Sequence, residues 1–181
     1  MTLMDHDVYS TKLAARFATF DHDHDGRITA ADFDTMAERI LAEYNLSETS
    51  PKGAALMAGA RQYFTSLAQE ADIDGDGEIT RQTFVNAAQS RLRGNKDGFA
   101  RVIRPWAAAV VEIADTNGDG SVDLAEWARM LMAMGAVEPE ASKQAKRIDT
   151  DGDGTISLDE VIASAVDFYT SDHAHAEFGE V

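Results

Sequence analysis

The sequence predicts an all-α fold in which four helix–loop–helix units, arranged as two pairs, pack into one compact body with short β-bridges between paired loops. Three observations predict it. Twelve-residue stretches beginning at Asp21, Asp72, Asp115 and Asp149 each set acids or amides at alternate places and glycine at the sixth. Apolar residues recur at three- and four-residue intervals on both sides of each stretch, as amphipathic helices require. The chain has 181 residues, enough for one substantial core or two small lobes packed together.

The stretch Asp149–Glu160, D-T-D-G-D-G-T-I-S-L-D-E, identifies the loop type. Asp149, Asp151 and Asp153 alternate, Gly154 is sixth and Glu160 is twelfth, the pattern of an EF-hand calcium loop. A hard cation of calcium's size needs six to eight oxygens, and a short loop supplies them only by turning sharply around the ion. Gly154 provides the turn, Thr155 a carbonyl, Ser157 a contact made directly or through water, and Glu160 two oxygens. Ile156, eighth, is the residue that pairs with a neighbouring loop. A merely solvated Asp/Gly turn would not be flanked on both sides by apolar residues at helical spacing.

The helices follow in order. Leu13, Phe17 and Phe20 give a first helix from about Tyr9 to Phe20, and Phe33, Met36 and Ile40 a second, broken by the polar run ending in Pro51. Ser50 before Pro51 caps a third helix to Ala71, with Phe64 and Leu67 facing the core. A fourth spans about Arg81 to Arg93. Phe99, Ile103, Trp106, Val110 and Ile113 mark the fifth, where Pro105 has two readings: the helix starts there, or it starts near Asp97 and kinks. The unbroken stripe from Phe99 favours the kink. Trp127, Met130, Leu131 and Met134 mark a sixth helix ended by Gly135, Pro139 begins a seventh to Ile148, and Val161, Ile162, Ala165 and Phe168 define the eighth. The resulting organisation is an N-terminal pair over 1–93, a connector over 94–98 and a C-terminal pair over 99–181.

The loops are not equivalent. In Asp115–Glu126 the expected ligands are Asp115, Asn117, Asp119, Asp123 and Glu126, with a carbonyl from Ser121. In Asp21–Asp32 they are Asp21, Asp23, Asp25 and Asp32, with a carbonyl from Arg27. Asp32 is one methylene shorter than glutamate, so it reaches the ion with fewer oxygens and magnesium should compete best here. Asp72–Thr83 has Thr83 where the bidentate acid belongs and is expected to be vestigial, retained because Ile79 can bridge to Ile28. The expected cargo is therefore three Ca²⁺ ions. His22 and His24 occupy even places that point away from an ion, and His173 and His175 make a poor metal site in the tail. Met130 and Met134 lie one turn apart, so core packing explains them as well as a methionine groove does.

Composition narrows the function. Sixteen Lys and Arg against 32 Asp and Glu give a formal charge of −16, which disfavours nucleic acid and anionic membranes as partners. There are no cysteines, so disulfides, zinc–thiolate sites and thiol catalysis are excluded. The N-terminus lacks the basic and apolar regions of a signal peptide, and a soluble, cytoplasmic monomer is expected. The clustered acids are committed to loops, and no Ser/His/Asp or paired-histidine constellation suggests an enzyme.

The four units, their wide and uneven spacing, the aromatic first helix, Asp32 closing the first loop, the defective second loop and Arg101-Val102-Ile103-Arg104-Pro105 in the fifth helix together resemble the calerythrin and sarcoplasmic calcium-binding protein family. The resemblance runs from about Tyr9 to Phe168. It implies a compact body with the two halves face to face, and a calcium buffer or transporter. The alternative is a sensor that exposes a hydrophobic groove to a target helix.

Overall fold

The computed structural model describes residues 3–71, 75–92 and 94–171. Helix α1 spans Leu3–Phe20. It begins before the expected Tyr9 because no glycine or proline interrupts the residues ahead of it. Strand β1 (Arg27–Ile28) and helix α2 (Ala30–Glu43) follow. The Asp32 carboxylate accepts from the Thr29 amide at 2.8 Å and so closes the start of α2. Asn45, in the left-handed region at φ 53°, turns the chain away after it.

Helix α3 is Pro51–Ala71, with the expected cap: Ser50 Oγ accepts from the Gly53 amide at 3.1 Å. Strand β2 (Ile79–Thr80) pairs antiparallel with β1, setting Ile28 opposite Ile79 as the sequence predicts. Helix α4 (Arg81–Ala87) widens into a π-helical turn over Ala88–Leu92, where the Ala88 carbonyl accepts from the Tyr9 hydroxyl at 3.4 Å. The connector expected over 94–98 is shorter. Asn95 caps helix α5 (Lys96–Ala114) by accepting from the Gly98 amide at 3.1 Å, which draws residues 96–98 into the helix.

Helix α5 runs through Pro105, so the reading in which the helix begins at the proline is excluded. Helix α6 (Leu124–Ala133) is followed by Gly135 at φ 109°, α7 is Glu140–Ile148 and α8 is Leu158–Thr170. An antiparallel bridge joins Asp123 to Thr155, and the Ile156 amide donates to the Val122 carbonyl at 2.7 Å, pairing the third and fourth loops through their eighth residues.

One core serves both halves. Phe20 stacks on Phe33 at 5.0 Å and Tyr63 meets Phe33 edge-on at 5.4 Å. From Tyr63 the aromatic contacts continue to Phe99 at 6.4 Å and to Tyr169 at 4.7 Å from Phe99, so they cross from the N-terminal to the C-terminal pair. Helices α1 and α8 are tied across the same boundary. The Tyr9 hydroxyl donates to the Tyr169 carbonyl at 2.6 Å, and Lys12 Nζ donates to the Ser171 carbonyl at 2.6 Å, where α8 ends. Arg129 of α6 reaches the Glu43 carbonyl at 3.1 Å and lies over the Tyr44 ring at 4.7 Å.

Met130 is fully buried and Met132 is 41 % exposed, while Met36 and Met134 line the space between the halves. Phe64 sits at the edge of the core rather than inside it.

Helices α3 and α5 touch backbone to backbone at Gly59. A Cβ there would stand 3.0 Å from Trp106 Cα and 3.3 Å from the Pro105 carbonyl carbon, so the helices would have to separate. Gly59→Ala is expected to lose roughly 1 kcal/mol of stability, because overpacking outweighs the gain in helix propensity. Chemical denaturation checks this; an alanine variant more stable than the parent would show that the approach is not tight.

Candidate metal centres

Each loop folds around its acids by turning backbone N–H groups onto them. In the fourth loop Asp149 Oδ1 accepts from Gly152 at 2.8 Å and Asp153 at 3.1 Å, and its Oδ2 accepts from Gly154 at 3.1 Å. Asp151 accepts from the Asp153 amide at 3.1 Å, and Asp153 from the Thr155 amide and hydroxyl at 2.8 and 2.7 Å. Glu160 spans the loop: Oε1 accepts from the Thr150 amide at 2.8 Å and Oε2 from the Ser157 amide at 2.9 Å. One carboxylate thereby ties the second residue of the loop to the ninth.

The third loop repeats this. Asp115 accepts from Gly118 and Gly120 at 2.7 and 3.1 Å, Asn117 from Asp119 at 2.8 Å, and Asp119 from the Ser121 amide at 2.9 Å. Glu126 bridges Thr116 and Asp123, at 3.0 and 3.1 Å. Asp123, expected as a further acid on the ion, has one oxygen engaged elsewhere: its Oδ1 accepts from Ala125 and Glu126, both at 2.8 Å, and so caps α6.

In the first loop Asp21 accepts from Asp25 and Gly26 at 3.1 and 3.0 Å, Asp23 from Asp25 at 3.2 Å, and Asp25 from Arg27 at 2.8 Å. The shorter Asp32 still spans the loop, accepting from the His22 amide at 2.9 Å and the Thr29 amide at 2.8 Å, so the loop closes in to meet it. Arg27 turns its side chain outward to an ion pair with Glu78 across the β1/β2 pair.

The carboxylates of Asp21, Asp23 and Asp25, and likewise those of Asp149, Asp151 and Asp153, converge: in each set one oxygen per residue lies within 4.8 Å of the others. The donors are all oxygens of acids, amides and carbonyls, which suits a hard divalent cation and not a softer transition metal.

The second loop is described from Gly75 onward; Asp72 and Asp74 lie outside the described residues, as do His173 and His175. Thr83 bonds within its own turn, its hydroxyl donating to the Thr80 carbonyl at 3.0 Å.

Sequence reasoning missed one feature of all four loops. The fourth residue, like the sixth, adopts a left-handed backbone: Gly75, Gly118 and Gly152 do so at φ 71–73°, and His24 does so at φ 58° without glycine's freedom. Glycine at the fourth place of three loops was the available signal.

Comparison with known proteins agrees with this geometry. A family model described as an EF-hand domain pair matches residues 10–89, and one described as an EF hand matches residues 111–132 and 146–163, which together take in all four loops. A solved calcium-binding protein of Streptomyces coelicolor is 42 % identical, with a TM-score of 0.85 over 90 % of this chain and 98 % of that one. The chain belongs to the EF-hand family. This EF-hand protein is also 29 % identical to calerythrin of Saccharopolyspora erythraea across 90 % of its own length and 92 % of the relative's. It is 29 % identical to the beta chain of a Penaeus sarcoplasmic calcium-binding protein over 60 % of its length and 57 % of that one's. Calcium-loaded apo-aequorin of Aequorea victoria shares the fold, at 19 % identity and a TM-score of 0.73 over 97 % of this chain and 99 % of the other. No described helix of this EF-hand protein is long and apolar enough to cross a membrane.

The N–H groups also fix ionisation. Burial alone would raise the Glu160 carboxyl, but the amides and hydroxyls of Ser157 and Thr150 outweigh it and hold the group down at about 2. Glu126 is lowered by the same opposition between burial and its bonds from Thr116, Asp123 and Asn117, and Asp119 is lowered chiefly by the Ser121 hydroxyl. The folded value for Glu160 lies below its ordinary 4.5, so its stabilising contribution is complete above about pH 4.5 and is lost as pH falls through about 2. In metal-free protein the Glu160 Cδ resonance should therefore hold its ionised shift down to below pH 4. A midpoint at the ordinary value would show that the loop amides do not grip this acid.

Proposed function

We propose that the protein is a calcium buffer holding three ions, in the first, third and fourth loops. In the first, Asp21, Asp23, Asp25 and Asp32 would hold the ion with the Arg27 carbonyl. Asp115, Asn117, Asp119 and Glu126 would do so in the third, with the Ser121 carbonyl and the second oxygen of Asp123, and Asp149, Asp151, Asp153, the Thr155 carbonyl and Glu160 in the fourth. The second loop lacks the spanning carboxylate and is read as vestigial. Three ions of charge +2 would bring the formal charge from −16 to −10, relieving repulsion within each loop.

The observation that carries the buffer reading is the shared core. Among the described residues Trp106 and Trp127 are 7 % and 3 % exposed, and ring contacts from Tyr63 through Phe99 to Tyr169 join the two halves, which supports a body closed to a target helix. A second reading has a specific support. The Streptomyces protein is described in terms of prokaryotic calcium-mediated regulation, which favours a sensor that opens on loading.

Calorimetry should give three calcium ions per chain, and Thr83→Glu should create a fourth site by restoring a carboxylate that spans the second loop. Four ions in the parent at modest calcium would refute the assignment.

Magnesium should compete best at the first loop, and Asp32→Glu should raise calcium affinity there while weakening magnesium, because the longer arm offers both oxygens to the ion. Equal magnesium competition at the first and fourth loops of the parent, followed by NMR, would remove the argument from Asp32.

Small-angle scattering in saturating calcium distinguishes buffer from sensor. A compact particle supports the buffer, whereas a two-lobed profile or tight calcium-dependent capture of an amphipathic helical peptide would establish the sensor.

A further inference from the structure

Helix α2 leaves the first loop and ends at Glu43, and α3 begins at Pro51, so residues 43–52 join the first hand to the second. They also grip both helices of the third hand. On its outgoing helix, α6, Arg129 Nη2 donates to the Glu43 carbonyl at 3.1 Å, Nε lies 3.4 Å from Glu43 Oε1, and the guanidinium stands 4.7 Å from the centre of the Tyr44 ring. On its incoming helix, α5, the Glu112 carbonyl accepts from Lys52 Nζ at 2.5 Å. Glu112 lies just before Asp115, which opens the third loop, and Arg129 one turn after Glu126, which closes it. Glu43 and Glu112 end their helices, where carbonyls lack intrahelical partners and cations bind best.

The joining segment is stiff. The Leu46 amide donates to the Leu41 carbonyl at 2.8 Å, and the Ser50 amide and hydroxyl both donate to the Ser47 carbonyl, at 3.0 and 2.7 Å. Gly53 lies against this turn so closely that a Cβ would stand 2.1 Å from the Ser47 carbonyl oxygen. A displacement of α2 is therefore carried to Lys52 and Arg129 rather than absorbed between them.

The first loop sets how α2 leaves. Asp32 spans that loop and closes the start of α2, as Glu126 spans the third loop and bonds to the Asp123 amide where α6 begins. Both spans and every contact to residues 43–52 are formed together, so these contacts favour the state in which both loops are closed. A linkage of this kind acts equally in both directions.

We propose that Arg129 and Lys52 are positioning residues for calcium binding, coupling the first and third loops through residues 43–52 so that an ion in either raises the affinity of the other. The inference rests on the reading that both loops hold calcium. Exposed ion pairs contribute little, so the coupling comes from the two carbonyl bonds and the Tyr44 ring, and its size is about fivefold.

The amide resonances of Gly26, Gly120 and Gly154, the sixth residues of the first, third and fourth loops, report loading site by site in a calcium titration of the full chain. Asp23→Ala with Asp25→Ala removes two ligands and empties the first loop while leaving Asp32 at the start of α2. The third loop should then bind calcium about fivefold more weakly. With Arg129→Met and Lys52→Met combined, third-loop affinity should be the same whether the first loop is filled or emptied. A purely structural loss would instead lower it equally in both backgrounds and preserve the ratio. If the combined variant fails to fold, Lys52→Met alone must reduce the ratio. A third loop indifferent to the first in the parent, one that tightens when the first is emptied, or a ratio that survives the substitutions would overturn the coupling and leave the three-ion reading intact. A Gly26 resonance that never responds to calcium in the parent would overturn the three-ion reading itself, and the coupling with it.

Discussion

Acids that repel one another can share a point only if something holds them there, and here that is the backbone N–H groups of their own loops. The decisive bond set belongs to the twelfth residue. Asp32, Glu126 and Glu160 each accept from the second residue with one oxygen and from the ninth with the other. Because the ninth residue begins the outgoing helix, this one carboxylate sets how that helix leaves the loop. The left-handed fourth and sixth residues make the tight return that brings the amides inward.

Thr83 cannot make that span, and its hydroxyl turns to Thr80 instead. Pairing supplies part of what is missing. Ile79 lies opposite Ile28 in the β1/β2 ladder, and the Arg27–Glu78 ion pair crosses the same two strands. The second loop thus supports the geometry of its partner through strand pairing, independently of its own ligands.

Pairing of the loops leaves each half with an apolar face, and the halves cover each other. The cover depends on small residues as much as on large ones: Gly59 lets α3 and α5 meet backbone to backbone, while the ring contacts from Tyr63 through Phe99 to Tyr169 join the two sides. Large aromatic side chains on stiff helices do not close every gap, and a cavity beside Trp106 and Trp127 is what their packing leaves open.

The sequence by itself determined the loops and the helices between them, because both are written in local code. Alternating acids with glycine at the sixth place are needed by any chain that wraps a hard cation in twelve residues, and Ser50-Pro51 or the 99-to-113 stripe states a helix within a few positions. The sequence also carried the Ile28–Ile79 partnership and marked Ile156 for pairing with a neighbouring loop, since the eighth residue is apolar for that purpose, and the structure supplied Val122 as its partner. What depended on atoms distant in the chain was decided only by the tertiary structure. Asn95 and Asp123 cap helices over two or three residues and are local signals, but Gly59 meeting Trp106 and Lys12 reaching the Ser171 carbonyl are such cases. The cavity belongs with them, because an unfilled space is a property of how helices from both halves meet and has no residue pattern of its own.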